Sequence, residues 1–450
     1  MEGDAAPLPA GGRPEAFRLL WKSSLEKLKE KPFKFEDAGH VVYRALAWRR
    51  LGLLGKSKGA QQLKAVEEDA LEGIDLKAWL AEGLSLPGGV TIARVSKKAI
   101  GEGLGFLSMC FKIGLTYEGP SELAIKGLPS SVILKMPSRY EESFDLIAEE
   151  TDCYRREHDF YIQVAPALAG TAMRVPKLYS SEVVPNSGVR LLMEDLGGCG
   201  YSVNQLDGLS AAEVAPFVQM AAEMHAAFWP LTGRSGIPEC VVRAADERSF
   251  IARWPKCFVA RYDEFLRSEG LAKFDIGIEK SVVLDIAAKI HGNADKILDR
   301  VSRIAPQTVI HSDYRADNFI VGSPDGESCV LDWQLLSTGP GVYDLGDCVV
   351  KSMTVENGAK HLDHLLGLYH DTLVRAGVVG YSQEEMWTDF KFSILNHLTL
   401  VFAISLDGIG ADGELVADWS CFNLCRVMFR RLVRVVLDRD CLSVLDQKGG

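Results

Sequence analysis

Residues 311–318 read His-Ser-Asp-Tyr-Arg-Ala-Asp-Asn, an HxDxxxxN spacing bracketed by apolar Val309-Ile310 and Phe319-Ile320-Val321. Fourteen residues after Asn318 comes Asp332, in Val-Leu-Asp-Trp-Gln. These types at this spacing suit phosphoryl transfer to an alcohol. That reaction needs a carboxylate to orient the hydroxyl and accept its proton, oxygen ligands to hold Mg2+ against the phosphates, and a cation to neutralise phosphate charge. Asp313 suits the first role. Asn318, on the same loop, and Asp332, at a neighbouring strand end, suit the second, because hard Mg2+ prefers carboxylate and amide oxygens and keeps waters of its own. Singly, each could sit in an Asn/Asp-rich turn with a structural histidine; together they point to the chemistry.

The cation is expected from the β-rich part of the chain, where Lys135 stands in the apolar run Val-Ile-Leu-Lys-Met-Pro. A lysine on such a strand needs a partner. Glu157, on the following helical stretch, is the natural one for a strand-lysine/helix-glutamate pair, with Glu149 and Glu150 as rivals if the helix register differs. Upstream, Gly101, Gly103 and Gly105 alternate between two strand-like segments, which lets the backbone approach phosphates closely. Phe106 and the strand after it set this loop apart from the dinucleotide fingerprint, and a plain hairpin turn uses the same residues. Met193-Glu194-Asp195-Leu196 closes a connecting strand, where backbone groups of Glu194 and Leu196 could read an adenine edge while the acidic side chains face structure or solvent.

These residues require elements to hold them. VTIARV, FLSMCFKIGLTY and SSVILKMP are short β-rich segments separated by Gly, Pro and charged turns. TDCYRREHDFYIQVAPAL reads as a helix and VRLLMEDL as another strand. After Asp195 the chain turns helical over 210–230, 247–270, 280–303, 356–377, 383–406 and 415–438, interrupted by the β island VIHSDYRADNFIVG and CVLDWQ. A small β-rich lobe, a one-strand connector and a larger helical lobe with an embedded hairpin frame a cleft, a common place for a nucleotide. His225, on the apolar stretch Ala-Ala-Glu-Met-His-Ala-Ala-Phe-Trp, is expected to be a satisfied core histidine, and Asp344 to brace the His311 loop. Trp229, Trp254, Phe258, Tyr262, Trp387 and Trp419 could line an apolar acceptor pocket, but aromatics dominate cores and core packing explains the same residues. Asp407, Asp412, Glu414 and Asp418 read as a solvated face or as a surface for a cationic substrate.

The 450 residues carry 61 Asp+Glu against 50 Lys+Arg, a net charge of −11, with 47% apolar residues. That apolar content excludes disorder as a whole, and the acidic balance argues against nucleic acid as a partner. Ten scattered cysteines without a CxxC pair suggest reduced, mostly buried thiols and a cytoplasmic setting. No apolar run is long enough for a membrane span. Residues 13–64 hold 13 Lys+Arg against 5 Asp+Glu, a net of +8, and carry helical stretches over 14–31 and 41–54. A solvated helical pair, a docking face, a membrane surface or an organelle-targeting segment would each explain this basic stretch, though Glu2 and Asp4 weaken the last. The expected organisation is a tail at 1–14, a basic helical extension at 15–88, a nucleotide-binding lobe at 89–196, and a catalytic and acceptor-binding lobe at 197–440.

The order of these parts resembles the kinase-like phosphotransferase superfamily on its small-molecule side, with aminoglycoside phosphotransferases and choline kinases. Within it the chain resembles the ecdysteroid-kinase-like (CHK kinase-like) family, through REHDFY at 156–161, MEDL at 193–196 and EMHAAFW at 223–229. VIHSDYRADNF at 309–319, VLDWQ at 330–334 and LLGLYHDTLVRAG at 365–377 carry the rest of the likeness, which covers about residues 90–435. A eukaryotic protein kinase fits worse, since no Arg precedes Asp313, Asp332-Trp333-Gln334 replaces DFG and no APE-type segment follows. The Gly-rich loop GEGLGF is richer in glycine than the family pattern. The resemblance implies an α+β, protein-kinase-like two-lobed fold, with ATP and Mg2+ as cofactors and phosphate passing to a hydroxyl on a small organic acceptor. It does not imply a steroid. The competing reading is a pseudokinase that binds nucleotide or a partner without chemistry; the filled polar positions Asp313, Asn318, Asp332, Lys135 and Glu157 argue against it.

Overall fold

Met109, Phe111, Ile113 and Leu115 are buried and alternate with less buried residues, so this stretch makes a strand with one face on a core. The protein is described by a computed structural model covering residues 75–100, 108–137, 148, 151–184, 188–230, 238, 240–267, 276–323, 326–405 and 422–446. The basic stretches over 14–31 and 41–54, the glycines at 101, 103 and 105, Glu149, Glu150 and the acidic run over 407–418 lie outside the described residues.

The small lobe begins with helix α1 (Leu76–Gly83), capped by Asp75, whose side chain accepts from the Ala78 N–H. Five strands follow, β1 (Thr91–Ile100), β2 (Ser108–Glu118), β3 (Ser131–Pro137), β4 (Leu178–Val184) and β5 (Gly188–Glu194). They form one antiparallel sheet in the order β1-β2-β3-β5-β4. Leu80 of α1 packs with Phe111, Leu134 and Leu192 against one face of that sheet. Between β3 and β4 runs α2 (Cys153–Asp159), which widens into one turn of π-helix over Phe160–Val164.

The connector β5 leads into the large lobe. There β6 (Gly200–Ser202) is followed by α3 (Ala211–Ala227), whose start is closed by a reciprocal Ser210/Glu213 capping box. The expected 247–270 helix is divided into α4 (Phe250–Ala260) and a short helix Tyr262–Arg267, and the 280–303 stretch into α5 (Lys280–Gly292), Ala294–Asp299 and a π-turn. The β island is not one hairpin. Strand β7 (Thr308–Ile310) pairs with β10 (Ser337–Gly339), whereas β8 (Phe319–Gly322) pairs with β6 and β9 (Cys329–Val330). The loop 311–318 therefore spans two separate small sheets, which fixes both of its ends. Helices α6 (Val355–Arg375), α7 (Gln383–Ser405) and α8 (Phe422–Asp438) complete the lobe.

The main core runs through the large lobe and takes in Phe160, Val189, Leu191 and Met193 from the small-lobe side. Phe217 of α3 stacks on Phe319 of β8 at 3.9 Å, and the buried Tyr314 hydroxyl donates to the Phe217 carbonyl at 2.9 Å, which ties the loop to α3. Trp254 and Phe258 are buried and Trp229 packs on Tyr381 at 4.9 Å, so these aromatics serve as packing. Among the described residues the cysteines are free, and no helix is long and apolar enough to cross a membrane.

Candidate active site

Lys135 sits in the middle of the small-lobe sheet, opposite Cys110 of β2 on one side and Leu191 of β5 on the other. Its Nζ lies 2.7 Å from Glu157 Oε2 and 2.7 Å from Asp332 Oδ1. Burial alone would lower this lysine, but Asp332 and Glu157 outweigh it and hold the ammonium well above its ordinary value. The lysine is thus a fixed cation between the lobes. Among the described residues, Glu157 is the helix glutamate in contact with Lys135.

The loop 311–318 brings Asp313 and Asn318 together. Asn318 Nδ2 donates to the Asp313 backbone oxygen at 2.8 Å and to its Oδ2 at 3.0 Å. The other carboxylate oxygen, Oδ1, accepts from Arg315 Nε at 2.8 Å. Burial would raise the Asp313 carboxyl; the Arg315 guanidinium outweighs it, with His311 and Lys351 in support, and holds it below the ordinary carboxylate value. Arg315 also donates to Gln205 Oε1 at 2.6 Å and pairs with Asp317. Beneath the loop, Lys351 and Asp347 make a buried ion pair, and burial pushes the Asp347 carboxyl up to about 7. Gln205 Nε2 reaches the Lys351 carbonyl at 3.1 Å, so loop and buried pair are linked. Arg315, Gln205, Asp347 and Lys351 are not among the residues expected from the sequence. Arg315 lies inside the motif itself, where an always-charged guanidinium two residues from a carboxylate is a readable signal.

Asp344 holds the loop from below. Its fully buried carboxylate accepts from the His311 N–H at 2.8 Å, the Ser312 N–H at 2.9 Å and His225 Nε2 at 3.2 Å. His225 Nδ1 then accepts from the Tyr369 hydroxyl at 2.9 Å, so His225 is the satisfied core histidine its apolar helix suggests. His311 donates through Nε2 to the Leu331 carbonyl at 2.9 Å, next to Asp332, and accepts the Asp313 N–H at Nδ1. Ser312 at φ 69° and Asp332 at φ 63° are both left-handed. Each costs about 1 kcal/mol for a non-glycine residue and is maintained by these bonds.

At the connector, the Glu194 carboxylate accepts from Arg174 at 3.0 Å and from the Lys177 N–H at 3.1 Å. Asp195 pairs with Lys112 at 2.7 Å. Both acidic side chains are therefore structural. Leu196 is buried and its carbonyl accepts from the Cys199 N–H at 2.9 Å.

The donor chemistry fits a hard divalent cation. Asp332 offers carboxylate oxygen, its Oδ2 accepting from Gln334 at 3.2 Å, and Asn318 commits its amide nitrogen to Asp313, which leaves its amide oxygen as the atom that would ligate a cation. Among the described residues no group of three or more His, Cys, Asp or Glu could enclose a metal. Two oxygen ligands completed by phosphate and water are what Mg2+ uses in such sites.

The fold is similar to a microcompartment-associated aminopropanol kinase at 13% identity, over 82% of this chain and 99% of that one, with a TM-score of 0.47. It is also similar to an ethanolamine kinase from Plasmodium vivax at 11% identity, over 85% and 96% of the two chains, with a TM-score of 0.47. A choline kinase from Streptococcus pneumoniae is similar at 13% identity, over 82% and 99%, with a TM-score of 0.40. No curated protein matches the chain. The ecdysteroid kinase-like family matches residues 102–377, more than half of the chain and the whole stretch from Lys135 to Asp344. This two-lobed α+β chain thus belongs to the ecdysteroid kinase-like family.

Proposed function

We propose that the protein is an ATP-dependent small-molecule kinase that transfers the γ-phosphate to a hydroxyl of a small organic acceptor. The observation that carries this reading is the meeting of Lys135, Glu157 and Asp332 within 2.7 Å contacts across the lobes, with an Asp313 carboxylate held by Asn318 and Arg315 on the loop that His311 ties to the Leu331 carbonyl. Lys135 binds the α- and β-phosphate oxygens and Glu157 orients it. Asn318 and Asp332 hold Mg2+, which neutralises the phosphates. Asp313 orients the acceptor hydroxyl and takes its proton as the new O–P bond forms and the bond to the β-phosphate oxygen breaks, releasing ADP. Gly101, Gly103 and Gly105 cover the phosphates with backbone N–H groups, and the Glu194 carbonyl and Leu196 N–H meet the adenine edge. In this scheme 89–196 is the nucleotide lobe and 197–440 the catalytic and acceptor lobe.

The test incubates the protein with γ-labelled ATP, Mg2+ and a metabolite extract, with Asp313→Ala in parallel, and identifies products by mass. A labelled organic phosphate formed only by the wild type supports the reading and names the acceptor. Nucleotide binding without acceptor-dependent ATP consumption in any extract would favour a pseudokinase.

A further inference from the structure

Arg156 precedes Glu157 on α2 and is almost fully buried. Its Nη2 donates to the Leu336 carbonyl, and its Nη1 donates to the carbonyls of Thr151 at 3.2 Å and Arg248 at 3.3 Å. Among the described residues no carboxylate forms an ion pair with it. A buried guanidinium whose bonds all go to backbone oxygens acts as a clamp, because charge-assisted bonds are the strong ones and the fork holds its direction. Burial brings it down to about 10, so it stays charged at neutral pH.

Three neighbouring residues of this helix grip one short segment. Arg156 reaches Leu336, Glu157 meets Asp332 through Lys135, and Phe160 stacks on the Trp333 ring at 4.0 Å and 4°. In protein kinases the equivalent helix is brought into place by phosphorylation of a long activation segment. Here the anchor is a backbone carbonyl four residues beyond Asp332, which can be neither titrated nor phosphorylated.

We propose that Arg156 is a positioning residue that locks the Glu157 helix onto the Asp332 segment, so that the Lys135–Glu157 pair stands assembled without modification or a partner. This rests on the phosphotransfer reading above.

The test compares wild type, Arg156→Ala, Arg156→Lys, Glu157→Gln and the Arg156→Ala/Glu157→Gln double variant. The readouts are kcat and KM for MgATP, and amide hydrogen exchange over 153–160. Arg156→Ala is expected to lower kcat/KM on the order of 10²-fold, as misplacement of a positioning group does. Arg156→Lys, which keeps charge but loses the fork, should recover part of that and covers the case in which the alanine variant does not fold. The double variant should be no worse than Glu157→Gln, because Arg156 acts through Glu157. Exchange over 153–160 should quicken in Arg156→Ala with the large lobe unchanged. Losses that multiply in the double variant, wild-type kinetics in both Arg156 variants, or unchanged exchange would each overturn the proposal. If the wild type neither binds nucleotide nor transfers phosphate, the kinase reading fails, and the exchange measurement still decides whether Arg156 anchors the helix.

Discussion

Lys135 and Asp332 are 197 positions apart in the chain and 2.7 Å apart in space. One belongs to the central strand of the small lobe and the other to a left-handed turn of the large lobe, so their contact closes the cleft from both sides. Lys135 keeps its second partner, Glu157, when Asp332 is altered.

Asp332→Asn is therefore expected to retain the fold but to lose Mg2+-dependent nucleotide binding. The loss of kcat/KM should be on the order of 10²–10³-fold, as for removal of one preorganised electrostatic partner. Titration calorimetry with ATP, with and without Mg2+, checks it; an unchanged Mg2+-dependent isotherm would remove Asp332 from the proposed metal site.

Asp313→Ala takes away the carboxylate proposed to orient the hydroxyl while leaving Lys135, Glu157 and Asp332 untouched. Turnover should fall by about 10²–10⁴-fold, the range for a general base, with nucleotide affinity nearly intact. Full activity in this variant would exclude Asp313 from proton transfer.

Arg315→Met shifts the balance at Asp313. In the wild type the guanidinium overcomes burial and depresses the carboxyl, so its contribution to stability is present above the unfolded value of about 3.9 and is lost as pH falls through the lower folded value. Without Arg315 burial prevails and Asp313 takes up its proton at higher pH. The acid limb of the pH profile of kcat/KM should move upward. A limb that stays in place would mean that Arg315 does not govern the ionisation of Asp313.

Gly341→Ala tests the brace under the loop. An added Cβ would run into the Tyr369 hydroxyl and stand 2.7 Å from His225 Nδ1, inside the chain of bonds that leads to Asp344. A loss of about 1–3 kcal/mol in stability is expected from this overpacking. Adding Tyr369→Phe, which removes the hydroxyl, should recover part of the lost melting temperature; no recovery would place the clash elsewhere.

Short windows of the chain are enough to single out candidate groups. HSDYRADN, VLDWQ and VILKMP combine polar residues with apolar flanks, and local periodicity then implies a β-rich lobe followed by a helical one. These features depend on neighbours within a few residues, through backbone sterics and the alternation of buried and exposed side chains. Other features have no local signature. The glutamate that meets Lys135 depends on how α2 seats against Trp333, and Gln205, which Arg315 reaches, and Leu336, which Arg156 reaches, lie 110 and 180 positions away. The splitting of the β island between two sheets, and the burial of Asp344 beneath the His311 loop, likewise follow from long-range packing. A buried polar group must find its partners wherever the fold brings them, and chain separation does not enter that requirement. Residue type and spacing announce which groups can react; only the packing of the lobes decides which of them meet.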